Sequence, residues 1–151
     1  MKNVKLLAMV STAAAAAALL FAADAGGPRS APVNYVERDE VNKYFDKPGT
    51  FITGPDFEVQ GNHRVKAGLA ELHVKETDVL YVIDGAGILV TGGSITGSHE
   101  TGPDQFRGTA IEGGETHNLK KGDVITVRAG VPHWFREASG IRYLVVKVKK
   151  P

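Results

Sequence analysis

The stretch GDVITVRAGVPHWF, Gly122 to Phe135, says most about how this chain folds. A Gly-Asp turn opens it, the run Val124–Val127 follows, an Ala-Gly turn interrupts, and Pro132 stands directly before His133. Short runs of valine, isoleucine and threonine between turn residues read as β-strands. Pro132 holds the backbone rigid ahead of His133, and Trp134 and Phe135 supply it with aromatic neighbours. By itself such a histidine is most often a satisfied core residue.

A second stretch upstream bears on that choice. In ELHVKETDVLYVIDG, Glu71 to Gly85, a histidine, acids and a lysine precede an apolar run ending at glycine. Alternate residues of a strand share a face. Glu71, His73 and Lys75 therefore fall on one side, with Ala70, Leu72 and Val74 on the other, and Asp78 follows where the chain turns. An imidazole flanked by carboxylates can ligate a divalent ion. An edge strand with a wet polar face has the same pattern.

The surroundings of both stretches are β-rich. Strands are expected at 57–65, 68–74, 79–83, 87–91, 106–111, 124–127, 133–136 and 142–148, with glycines such as Gly85, Gly92 and Gly113 at the turns. This spacing indicates an antiparallel sandwich or barrel. Residues 92–105, GGSITGSHETGPDQ, are longer than a hairpin needs and are expected to lie over the barrel mouth. Before the strands, NYVERDEVNKYFDKPG places Val36, Val41, Tyr44 and Phe45 near helical spacing and ends at Pro48-Gly49, so one short helix is expected there.

The first 25 residues read differently. A short basic start with Lys2 and Lys5, an uncharged Ala/Leu-rich run over 6–21 and a small-x-small end at Ala23–Ala25 have the form of a signal peptide. The expected organisation is a signal peptide over 1–25, a leader and helix over 26–49, and a barrel domain over 50–151. Export to the periplasm or beyond follows. Without Lys2, Lys5 and Asp24, the 18 basic and 17 acidic residues fall to 16 of each. That balance provides no electrostatic case for nucleic acid, and no cluster of Lys and Arg suggests a membrane surface once the signal is removed. The chain has no cysteine, so any metal must be held by His, Asp and Glu.

Taken together, the two stretches closely resemble the signatures of the cupin superfamily, over about residues 68–148. Gly122, Gly130 and His133 fall where the second cupin motif has its glycines and histidine, with Arg128 in place of a proline and Glu137 in place of an asparagine. Asp78 and Gly85 match the acidic residue and glycine that end the first motif. The resemblance implies an all-β fold: a double-stranded β-helix (cupin/jelly-roll) barrel with a short N-terminal helix and a metal near one mouth. If His73 takes the place of the first motif histidine, Lys75 takes the second, and a protonated lysine is a poor ligand. If His73 is the second, Glu71 replaces the first and the spacing to Asp78 suits the family. The second register is preferred, although Val65 then stands where the motif begins with glycine. The implied metal set is Glu71, His73, Asp78 and His133, for a divalent ion such as Mn, Fe, Zn or Ni.

Lys75 and Tyr81 are candidate catalytic residues, Lys75 for an anionic substrate and Tyr81 as a proton donor. The bland readings are a solvated strand end and a core tyrosine. His117, His63 and Arg64 are further candidates for the mouth, and His99 is expected in solvent. The expected function is an exported cupin that binds a divalent metal and acts on a small sugar- or carboxylate-like molecule by isomerase, lyase or dioxygenase chemistry. The alternative is a non-catalytic ligand- or sugar-binding module without a required metal. Either is expected to form a homodimer.

Overall fold

The computed structural model describes residues 31–150. The expected signal peptide over 1–25 and the start of the leader lie outside the described residues. Helix α1 spans Arg38–Asp46. Strands follow as β1 (Gly49–Thr53), β2 (Phe57–Arg64), β3 (Ala70–His73), β4 (Glu76–Thr91), β5 (Ser94–Thr96) and β6 (His99–Gly102). They continue with β7 (Gln105–Gly108), β8 (Ala110–Glu112), β9 (Glu115–Lys120), β10 (Val124–Val127) and β11 (His133–Lys149). All pairings are antiparallel.

The architecture is the expected all-β barrel with one short helix, and the differences in detail have physical causes. The strands expected at 79–83 and 87–91 are one strand, β4, and those expected at 133–136 and 142–148 are one strand, β11. The two long strands pair from His133↔Thr91 to Lys149↔Glu76, with irregular register around Ser139–Tyr143. Gly85 marks this bend and does not end the strand. It has φ +75°, and a Cβ there would lie 2.3 Å from the Gly140 carbonyl oxygen. Positive φ at close approach is what glycine alone allows cheaply. Residues 92–105 contain two short strands, β5 and β6, joined by turns. β5 pairs with β8, and β6 pairs with β7, which in turn pairs with β3. Strands β1 and β9 were not expected from the sequence at all.

β11 links the barrel, since it pairs with β2 along 141–148, with β4 along 133–149 and with β3 at His133↔Glu71. The interior is apolar at one end, where Leu89 and Ile141 are fully buried and Val82, Val127, Phe135 and Val145 pack with them. Leu80, Val82, Tyr143 and Val145 point inward because they alternate on paired strands. Helix α1 lies on the outer face of β2, where a Cβ at Gly61 would come 2.6 Å from Tyr44 Cβ. Phe45 and Phe51 are buried beside it. Among the described residues no helix is long and apolar enough to cross a membrane.

Candidate metal centre

The other end of the barrel interior is polar. A cavity of about 450 Å³ opens there, bounded by β2, β3, β4, β7 and β11. Glu71 and His73 reach it from β3, Asp78 from β4 and His133 from the start of β11. The strand period of two places Glu71 and His73 on one face, and the pairing His133↔Glu71 brings the second histidine alongside.

The donor atoms converge. Glu71 Oε2 lies 3.8 Å from His73 Nε2 and 3.9 Å from His133 Nε2. Asp78 Oδ2 lies 3.6 Å and 3.7 Å from the same two nitrogens. Around an ion with bonds of about 2.0–2.2 Å, tetrahedral donors stand about 3.3–3.6 Å apart, so the cluster is only slightly open. Glu71, His73 and His133 have donor atoms all within 4.8 Å of one another. His73 Nε2 is the one buried side-chain polar atom among the described residues that has no hydrogen-bond partner. A buried nitrogen of this kind is expected to meet a partner, and here it faces a carboxylate and a second imidazole. The residues fit a divalent ion.

Each donor has a polar residue directly opposite it on the neighbouring strand. Glu71 faces Arg107 and His73 faces Gln105 across β3–β7, and Asp78 faces Lys147 across β4–β11. Arg107 Nη2 lies 3.4 Å and Arg64 Nη2 3.9 Å from Glu71 Oε1. Glu71 thus turns one oxygen to two guanidinium groups and the other to the histidines. Asp78 is held by Lys147 Nζ at 2.9 Å and 3.2 Å, so the expected four-residue set divides into a Glu/His/His group and a carboxylate already neutralised by an ammonium.

Burial sets the charges. His133 has its pKa lowered, first by desolvation, against the pull of Asp78 and helped by His73. It is therefore held as a neutral imidazole, with Nδ1 toward the Val131 carbonyl. Tyr143 is raised, first by burial, so its hydroxyl stays protonated, and it accepts a 2.8 Å hydrogen bond from Arg64 Nε. Burial opposes the charge on Arg64, yet Tyr143 and Glu71 raise its pKa overall. Its guanidinium also sits 5.3 Å from the centre of the Phe135 ring.

The two candidate catalytic residues lie elsewhere. Tyr81 is 46% exposed. It stands three residues from the inward Asp78 on a continuous strand, which puts it on the outer face opposite Val124 and Leu144. Lys75 lies past the end of β3, where the chain bends, so alternation from His73 no longer applies. It is exposed and pairs with Asp104 at 2.9 Å. Of the other candidates, Arg64 lines the cavity and His63 is on the opposite face of β2. His117 bonds to Thr91 away from the cavity, and His99 is exposed.

Lys147, Tyr143, Gln105 and Arg107 were missed. The only local trace of Lys147 is one charge at the end of the inward row Tyr143, Val145, Lys147.

No protein-family model matches the chain, and no curated protein matches it in sequence. Solved structures do match in fold. The protein BH2720 from Bacillus halodurans is 16% identical, with 80% of this chain and 84% of that one covered at a TM-score of 0.56. KdgF from Halomonas sp. is 14% identical, with 69% and 80% covered at a TM-score of 0.50. A cupin protein from Bacteroides fragilis is 16% identical, with 62% and 66% covered at a TM-score of 0.43. The chain shares its all-β barrel fold with BH2720 and KdgF. At such identities the likeness is one of fold, and function rests on the site.

Proposed function

We propose that this protein binds a divalent metal ion through Glu71, His73 and His133 and takes up a small, anionic, oxygen-rich molecule beside it. The observation that carries the reading is His73 Nε2, buried without a partner and aimed at the Glu71 carboxylate and the His133 ring. Two imidazoles and one carboxylate leave coordination positions open and suit Mn, Fe, Ni or Zn. A bound ion acts as a Lewis acid that polarises an oxygen of the ligand.

The chain's own residues define the ligand class. Arg64 and Arg107 offer planar donor sets to a carboxylate from the side of Glu71. Glu58, Gln60 and Asn62 line the same cavity from β2 and suit hydroxyl groups. Phe135 and Val145 add apolar walls to it. Isomerase, lyase and dioxygenase chemistry all operate on such a metal and ligand. The signal-like residues 1–25 support action outside the cytoplasm.

Elemental analysis of the purified protein tests the reading. About one equivalent of metal is expected, lost in the His73→Ala/His133→Ala double variant. Thermal stability is expected to rise when metal is returned to chelated protein, and a ligand screen is expected to find carboxylated molecules. Protein that retains no metal and gains no stability from any of these ions overturns it.

One observation favours a second reading, a metal-free binding module. Lys147 already places an ammonium 2.9 Å from Asp78. Undiminished binding of an anionic ligand after chelation would select this reading.

A further inference from the structure

We infer that Gln105 is a positioning residue that fixes the tautomer of His73 and so makes it a metal ligand. The inference rests on the metal reading above for its consequence but not for its geometry.

Lys147, Glu76, Gln105 and His73 form a chain of side chains whose hydrogen-bond directions are forced. Lys147 Nζ lies 3.6 Å from Glu76 Oε2. An ammonium only donates, and the carboxylate beside it only accepts. Gln105 Nε2 donates to the same Glu76 oxygen at 3.3 Å. With its NH2 committed to Glu76, the Gln105 amide must present its oxygen on the other side. That oxygen is hydrogen-bonded to His73 Nδ1. An amide oxygen cannot donate, so His73 Nδ1 carries the hydrogen, and in the neutral ring the lone pair is left on Nε2.

This direction is not what the neighbours of Nε2 would choose. Asp78 Oδ2 and Glu71 Oε2 lie 3.6 Å and 3.8 Å from it. Both carboxylates would draw a hydrogen onto Nε2, and a ring protonated there cannot coordinate an ion. Gln105 opposes them from the far side of the ring. The bare state of Nε2, buried without a hydrogen-bond partner, fits a lone pair held toward the cluster.

His133 shows the same need met more simply, because its Nδ1 faces the backbone carbonyl of Val131. A backbone acceptor has no choice of atom. A glutamine does, and Glu76 removes that choice. The strand register supplies the arrangement, since Gln105 stands directly opposite His73.

The test reads the tautomer in metal-free protein, by long-range 1H–15N correlation of the histidine rings at a pH where they are neutral. Wild-type His73 is expected as the Nδ1–H form. In Gln105→Leu the Nε2–H form is expected to appear, and metal affinity to fall by about 10–100-fold. The double swap Glu76→Gln/Gln105→Glu exchanges amide and carboxylate but rebuilds the relay. It is expected to return the Nδ1–H form and to bring affinity back to within a few-fold of wild type. Persistence of the Nδ1–H form in Gln105→Leu overturns the inference, as does a folded swap variant without it. If the wild type takes up no metal, the metal reading falls, and the tautomer still decides this one.

Discussion

Asp78 and Lys147 stand directly opposite each other across β4 and β11, with Nζ 2.9 Å from Oδ1 and both side chains largely buried. An ion pair in such a place is sensitive to loss of one partner, because the other is left charged and desolvated. Lys147→Met is expected to destabilise metal-free protein by about 3–5 kcal/mol, on the pattern of broken buried pairs. The same change frees Asp78 to join the donor set, so added metal is expected to recover more stability in the variant than in wild type. Chemical denaturation with and without metal measures both. Equal stability of variant and wild type would show the pair to be inert.

Glu71 and Lys75 were read on one strand face, but only Glu71 reaches the cavity. Glu71→Ala is expected to reduce metal retention at least tenfold. Lys75→Ala, which removes only an exposed pair with Asp104, is expected to leave retention unchanged and to shift stability by less than about 1 kcal/mol. Tyr81→Phe is expected to be silent in the same metal titration. The reverse ranking would place the site on the wrong residues.

The lowered pKa of His133 has a sign that can be checked in chelated protein. The folded state resists a proton that the unfolded state accepts near the ordinary value of 6.5. Folding stability from this group is therefore present above that value and declines as pH falls below it toward the folded-state pKa. Thermal melts of metal-free protein from pH 8 downward are expected to show this loss, and His133→Gln is expected to flatten that part of the profile. An unchanged profile in the variant would remove His133 as its source.

The bend shared by β4 and β11 predicts a contrast between two glycines with positive φ. A Cβ at Gly85 meets the Gly140 carbonyl, whereas at Gly122 nothing lies within 4 Å. Gly122→Ala is expected to show backbone strain alone, about 1–3 kcal/mol. Gly85→Ala is expected to cost more, since two paired backbones must also separate. Their unfolding midpoints give the order directly.

What the sequence determined by itself is what short-range rules govern. The turns and Pro132 around His133, the alternation that puts Glu71 and His73 on one face and the acid-to-glycine run from Asp78 to Gly85 all lie within a few residues, and the barrel class could be read from them. Beyond that reach the reading failed in definite ways. Lys75 was assigned by alternation through a bend that ends it. Tyr81 fits neither expectation, proton donor or core tyrosine, because it lies an odd number of residues from the inward Asp78 on the same strand. Only the tertiary structure decided which groups surround the donors. Gln105 is 32 residues from His73, and Lys147 is 69 from Asp78. Their juxtaposition is a matter of strand register, which the hydrophobic pattern of the whole barrel sets and no local motif records. The physical reason is that cross-strand pairing joins distant segments at about 5 Å, so the residues that tune a site leave no mark near the residues that form it.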